Sequence, residues 1–148
     1  MIGIGNPLMG DDGIGPRLIE ELKPLGTGVE LIDIGTGGMQ LVHVLAGYDA
    51  VLLIDAADMG IEPGQFRVFS PENAVSVKEC RSYSLHDWDI MRSIEISNEM
   101  GEAPERILIM AIQPGSLGMG EGISPEVESG IPRYLGEINA ALERLAVR

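Results

Sequence analysis

Apolar and polar positions fall into blocks along this chain, and their period switches repeatedly between that of a strand and that of a helix. The opening "MIGI" is a short apolar run that leads into a glycine-rich loop, "GIGNPLMGDDGIG" (3–15), and reads as a first strand cut close to its start. From Ile14 to Leu22 the residues Ile14, Leu18, Ile19 and Leu22 recur at helical spacing, with Pro16 tolerated in the first turn. "VELIDI" (29–34) predicts a second strand, "GTGG" (35–38) a break and "MQLVHVLAGY" (39–48) a second helix. "AVLLID" (50–55) is a continuous apolar run closed by an acid, as in a central strand covered on both faces. "GQFRVF" (64–69) alternates, as a half-exposed or edge strand does.

Residues 70–83 carry no period and read as loop, after which Ser84 stands where it can cap a helix from about Leu85 to Met100. "RILIMAI" (106–112) predicts another buried strand and "QPGSLGMGEGIS" (113–124) a second glycine-rich loop. Ser124 before Pro125, with acids following, has the form of a capped helix start. Pro132 argues against one unbroken helix from there. The last helix is expected to begin near it, with Tyr134, Leu135, Ile138, Leu142 and Leu145 on its inner face. Strands alternating with helices predict an α/β fold: a three-layer α/β/α sandwich around a twisted, mostly parallel sheet with one antiparallel edge strand. No linker, repeat or low-complexity tract interrupts the pattern, so one domain over residues 1–148 is expected.

Composition narrows the function classes. Apolar residues make up 45 % of the 148 and aromatic residues only 4 %, so the core is aliphatic. A formal net charge of −13 opposes binding to nucleic acid or an anionic membrane surface and favours cations or basic partners. The single Cys80 cannot form an internal disulfide, and no basic stretch followed by an apolar one marks a secretory leader; both predict a cytoplasmic protein. No apolar run reaches the roughly 18 residues of a membrane span, so no membrane insertion is expected.

In open parallel sheets, sites gather beyond the carboxyl ends of the strands. Those ends offer Asn6, Asp11 and Asp12 after the first strand, Asp33 after the second, and Asp55 and Asp58 after the third; "SLHDWD" adds His86 and Asp87 at a helix start. If these loops share one edge, two carboxylates and an imidazole converge, a donor set suited to a borderline divalent metal such as nickel or zinc. Structural roles compete at each position. A strand-end Asp is often a turn former or cap, Asp11 or Asp12 can cap the following helix, and His86 alone suits a surface or cap position. His43 lies within a helical pattern, for packing or solvent, and Cys80 lacks the surroundings of a nucleophile. Met9, Met39, Met59, Met110 and Met119 lie in or beside the loops, for core packing or for lining an apolar peptide groove. A dinucleotide fingerprint would need glycine where Leu8 stands, and the two acids oppose a pyrophosphate.

Taken in order, "GIGNPLMGDDGIG", "DIGTGGM", "LLIDAADMG", "SLHDWD" and "ILIMAIQP" resemble the hydrogenase maturation proteases, endopeptidases that finish the large subunit of nickel–iron hydrogenases. The resemblance runs over nearly the whole chain and implies the same α/β/α sandwich. It implies three metal-contacting positions, Asp12, Asp55 and His86, and a substrate-recognition role for Asp33, to which Gly35, Thr36 and Asn6 are joined. It implies an aspartic-type, nickel-dependent peptidase with no tightly bound cofactor of its own. The nickel would arrive in the hydrogenase precursor, and a short C-terminal extension would be removed from the loaded partner only. Asp12 and Asp55 are the expected catalytic residues, since carboxylates serve as both ligand and base. The family's first strand is longer, which leaves room for residues upstream of Met1. Two alternatives stand beside this: a non-catalytic nickel-dependent maturation chaperone, and a hydrolase resembling peptidyl-tRNA hydrolases, which share "GIGNP" but follow it with a basic segment where this chain has "GDDGIG".

Overall fold

The computed structural model describes residues 1–74 and 87–147. The strands are β1 (Ile2–Gly3), β2 (Ile32–Asp33), β3 (Ala50–Ala56), β4 (Phe66–Phe69) and β5 (Arg106–Ile112). The helices are α1 (Ile14–Leu22), α2 (Met39–Leu45), α3 (Asp87–Glu99), α4 (Pro125–Glu128) and α5 (Ile131–Ala146), with a 3₁₀ turn over Gly10–Gly13. One sheet orders the strands β2-β1-β3-β5-β4. All neighbours are parallel except β4, which runs antiparallel to β5 at the edge, as the alternation in "GQFRVF" predicts.

The sheet separates two apolar layers, completing the three-layer sandwich. On one face Leu52, Ile54, Met110 and Ile112 pack with Leu18, Ile19, Tyr134 and Ile138 from α1 and α5. On the other, Ile2, Ile4, Val51, Leu53 and Ile109 pack with Leu41, Leu45, Ile90 and Ile94 from α2 and α3. Side chains of a strand alternate between faces, so Asp55 shares the α2/α3 side with Val51 and Leu53. The same alternation explains "IGIG". Ile2 and Ile4 fill the α2/α3 layer, while Gly3 and Gly5 turn toward α1. A Cβ on Gly15, at the facing end of α1, would lie 2.3 Å from the Ile4 carbonyl oxygen and 2.8 Å from that of Ile54. Only glycine lets the helix approach this closely.

Several expected boundaries move. The second strand shrinks from 29–34 to Ile32–Asp33, because its partner β1 offers only Ile2 and Gly3 for pairing. The second helix stops at Leu45, with Ala46 as its C-cap, rather than reaching residue 48. Ser124 does precede a helix, but its side chain makes no capping bond; the hydroxyl is turned elsewhere. Ser84, Leu85 and Cys80 lie outside the described residues. Among the described residues, no helix is long and apolar enough to cross a membrane.

Candidate active site

Strand order reverses between β1 and β3. From β1 the chain crosses to β2 on one side, and after β3 it adds the edge strand β4 and then β5 on the other, so the connections leaving the carboxyl ends of β1 and β3 run in opposite directions and leave a crevice. The first glycine loop leaves β1 at this point, and Asp55 is near the end of β3. The 3₁₀ turn that carries Asp12 packs against β3. Asp12 and Asp55 are therefore on touching elements at the switch point, both recessed, at 3 % and 2 % exposure.

The loop reaches this position through hydrogen bonds within its own few residues. The Asn6 amide donates to Asp12 Oδ2 at 2.8 Å, the Leu8 amide donates to Asn6 Oδ1 at 3.0 Å, and the Asp12 amide donates to the Met9 carbonyl at 3.2 Å. Gly5 makes the tight entry possible: its φ is +145°, and a Cβ there would stand 1.8 Å from the Asp12 carbonyl oxygen. Neither acid caps the following helix. The N-cap of α1 is Gly13, with no side-chain bond. The competing capping role weighed for Asp11 or Asp12 is thus replaced by bonds to distant or preceding backbone.

Asp11 accounts for the larger part of that difference. It is fully buried and accepts from the amides of Gly115, Ser116 and Ser124 and from the Ser124 hydroxyl, at 2.7 to 2.9 Å. Its own amide donates to the Ser116 carbonyl at 2.8 Å. The second glycine loop, 113–124, is thereby docked on the first. A Met9–Met119 antiparallel bridge and a bond from the Gly120 amide to the Leu8 carbonyl extend the seam. At its tip Leu8, on the first loop, and Met119, on the second, are 70 % and 81 % exposed, an apolar lip where the two loops meet. Of the other methionines of interest, Met59 and Met110 are buried in the core, Met9 is half-buried and Met39 is exposed at the start of α2.

Asp33 is exposed, on the β2 side of the same edge. Its Oδ1 accepts from the Gly35 amide at 2.8 Å, a local turn, and the Gly35 carbonyl in turn accepts from the Gly5 amide at 2.7 Å. Thr36 is exposed beside it. A groove of about 360 Å³ runs between Asp33 and the first loop, with Pro7, Gly10, Gly13, Pro16 and Ile123 on its walls. Of the expected recognition residues Asp33 lines this groove, while Gly35 is tied to the first loop through Gly5 and Asn6 is tied to Asp12.

Asp58 is a turn former: its Oδ1 accepts from the Gly60 amide and from Gln113 Nε2, both at 3.1 Å. Gln113 is a residue that pattern reading leaves without a role. Buried at the end of β5, it accepts from the Met59 amide at 2.7 Å through Oε1 and ties the loop after Asp55 to the sheet. The sequence signal is available, since a polar residue that extends a buried apolar strand must find partners. His86, the third expected metal contact, lies outside the described residues. Among the described residues, no group of three His, Cys, Asp or Glu side chains is arranged to hold an ion. His43 is exposed on α2.

Comparison with known proteins agrees with this architecture. Residues 16–141 match the HycI family model, described as hydrogenase maturation protease. The chain is 29 % identical to the hydrogenase expression/formation protein HupD of Thiocapsa roseopersicina over 150 residues, covering 99 % of this chain and 66 % of that protein. It is 29 % identical over 153 residues to the hydrogenase 2 maturation protease of Escherichia coli K12, covering 99 % and 92 %. The chain spans about 58 to 70 % of the length of the first three curated relatives. Among solved structures, the hydrogenase maturating endopeptidase HybD from E. coli superposes with a TM-score of 0.78 at 26 % identity, covering 98 % of this chain and 91 % of that one. A second E. coli endopeptidase gives 0.84 at 28 % identity, covering 99 % and 93 %. With 126 consecutive positions spanned by the family model and the sandwich shared with solved endopeptidases, the chain belongs to the hydrogenase maturation protease family.

Proposed function

We propose that this protein is an endopeptidase that removes a C-terminal extension from the nickel-loaded large-subunit precursor of a nickel–iron hydrogenase. The observation that carries the reading is the pair Asp12 and Asp55, recessed on touching elements at the β1/β3 switch point, in a chain of this family. Two carboxylates in one crevice suit a cation better than any anionic group. The cation is taken to be the nickel already seated in the precursor, with Asp12, Asp55 and His86 as an incomplete ligand set. An empty precursor offers them nothing to bind, so the loaded partner is selected.

Amide hydrolysis needs a water made nucleophilic and a carbonyl oxygen whose growing charge is stabilised. The substrate's metal supplies polarisation. Asp12 or Asp55 orients the water and accepts its proton, a contribution of about 10²–10⁴ in rate. The Leu8–Met119 lip gives an extended polypeptide an apolar seat, and the Asp33 groove holds the neighbouring backbone of the precursor. A small acidic protein with a net charge of −13 is also suited to a partner that presents positive charge.

The test incubates the purified protein with nickel-loaded and nickel-free precursor and reads intact mass. Loss of a C-terminal peptide from the loaded precursor alone is the expected result. Complex formation with unchanged mass would replace the protease reading with that of a maturation chaperone, and no interaction with either form would overturn both.

A further inference from the structure

The two adjacent acids of "GDDGIG" have opposite surroundings, and this separates their roles. Asp11 is saturated. A carboxylate offers about four lone-pair sites, and four donors meet this one: the Ser124 amide at Oδ1, and the Gly115 amide, the Ser116 amide and the Ser124 hydroxyl at Oδ2. Three of the four crowd Oδ2 and the fourth holds Oδ1, so both oxygens are tied to the 115–124 segment. Each of these bonds joins residues more than 100 positions apart, so Asp11 does not shape its own turn; it holds a distant loop. The loop grips back through the Ser116 carbonyl, which accepts from the Asp11 amide.

Consecutive side chains of a 3₁₀ turn leave it about 120° apart, because the turn has three residues per revolution. In the Gly10–Gly13 turn one acid points into the 115–124 segment and the next reaches back to the Asn6 amide. Locking the first fixes the rotation of the turn, and with it the direction of the second. Gly10 tightens the same joint, since a Cβ there would lie 2.6 Å from the Ser116 carbonyl oxygen. From this arrangement we infer that Asp11 is a positioning residue: its four-donor clamp on the 115–124 segment sets the rotation of the Gly10–Gly13 turn and so aims the Asp12 carboxylate. The reaction consequence rests on the role proposed above for Asp12, whereas the mechanical coupling does not.

Amide hydrogen exchange on the full chain, without substrate, tests the coupling. In Asp11→Asn an NH₂ group faces backbone donors. The amides of Gly115, Ser116 and Ser124 are expected to lose protection by about tenfold or more, and the Asn6 amide, on the far side of the turn, to lose it with them. The β3 amides of Leu52 to Ile54 keep theirs. Full protection at Asn6 with loss at Ser116 and Ser124 would overturn the inference. Should Asp11→Asn not fold, Ser124→Ala removes one of the four donors, and the same two-sided loss is expected at smaller amplitude, with Ser124→Thr restoring it; one-sided loss in that variant is again fatal. In precursor cleavage, the folded clamp variant is expected to show kcat about tenfold lower, because a misaimed Asp12 weakens the transition state, while loosening of the Met119 segment is read separately as a rise in KM. An unaltered kcat would overturn the positioning role. If the wild type cleaves no loaded precursor, the proposed function fails, and the Asn6 amide still decides the coupling.

Discussion

Gln113 and Met59 are joined across the sheet: the Met59 amide donates to Gln113 Oε1 at 2.7 Å, in a fully enclosed setting. The same side chain donates from Nε2 to Asp58, so one amide group satisfies both ends of the turn that follows Asp55. Gln113→Ala leaves the Met59 amide buried without this acceptor, at a cost of about 1–3 kcal/mol. The expected outcome is a lower urea midpoint together with faster exchange at Met59 than at neighbouring core amides. Gln113→Glu keeps an acceptor for the Met59 amide but sets a second carboxylate oxygen against Asp58, so its midpoint is also expected to fall below that of the wild type.

Asp12→Asn and Asp55→Asn test the chemistry with little change in shape. In Asp12→Asn the side-chain carbonyl oxygen can still accept from the Asn6 amide, so the loop is expected to hold. Cleavage of loaded precursor is expected to fall by about 10²-fold or more in each variant, with thermal midpoints within a few degrees of wild type. Full cleavage by both would remove these residues from the mechanism.

Gly5→Ala addresses the entry to the loop. Positive φ and a Cβ placed 1.8 Å from the Asp12 carbonyl oxygen act together, and neither is relieved by a rotamer change. A loss above about 4 kcal/mol is expected, visible as insoluble expression or a collapsed melting transition. Gly26→Ala is the control for backbone strain alone: its φ is +61° and no atom lies within 4 Å of the added carbon. It is expected to cost far less.

Leu8→Ser and Met119→Ser remove the apolar lip. Both side chains are exposed, so folding stability is expected to change by no more than about 0.5 kcal/mol. Affinity for the precursor is expected to weaken by about tenfold in the double variant, measured by titration of the unprocessed subunit, with kcat retained. Unchanged affinity would place the docking surface elsewhere.

Tyr134 gives the fold a pH signature. Its hydroxyl is buried and donates to the Gly64 carbonyl at 2.6 Å, while the ring meets Phe66 edge-on at 5.8 Å. Burial, opposed by Arg133, pushes the phenol up from its ordinary 10.0. The folded state therefore holds the proton more tightly than the unfolded chain. The resulting stabilisation is complete below about pH 10 and is lost as pH rises through the folded pKa. Urea midpoints from pH 8 to 11 are expected to fall more steeply in wild type than in Tyr134→Phe, although the variant starts lower by about 1 kcal/mol because the Gly64 carbonyl keeps only the longer bond from Arg133.

Much of the fold can be read from periodicity because its strongest elements are long or sharply bounded. Ile14–Leu22 and Arg106–Ile112 begin and end where the apolar spacing does, and Ala50–Ala56 runs one residue past the apolar-to-acid run read from the sequence. Strand β2 reads too long because the apolar content of 29–34 says nothing about how short its partner is. The placement of Asp12 and Asp55 at one edge follows from strand order, which alternation alone makes a natural outcome.

The clamp on Asp11 is not legible for a different reason. Its donors are backbone amides of "GS" and a serine that looks like a helix cap, more than 100 residues away. Nothing in local spacing distinguishes an acid that meets such donors from one that meets solvent. Gln113 is closer to legible, since an amide continuing "ILIMAI" has to be buried with partners; only their identity, the loop at Met59, needs coordinates.

The sheet is unequally fastened. β3 and β5 are laced over seven residue pairs, whereas β1 meets β2 over two. Asp55 rides on the long lacing and Asp33 on the short one, with the half-exposed Ile32 beside it. When the proposed precursor seats there, the Asp33 flank is expected to give before β3 does. The Asp33 flank is the one that backbone pairing holds least, a difference written into the lengths of four strands.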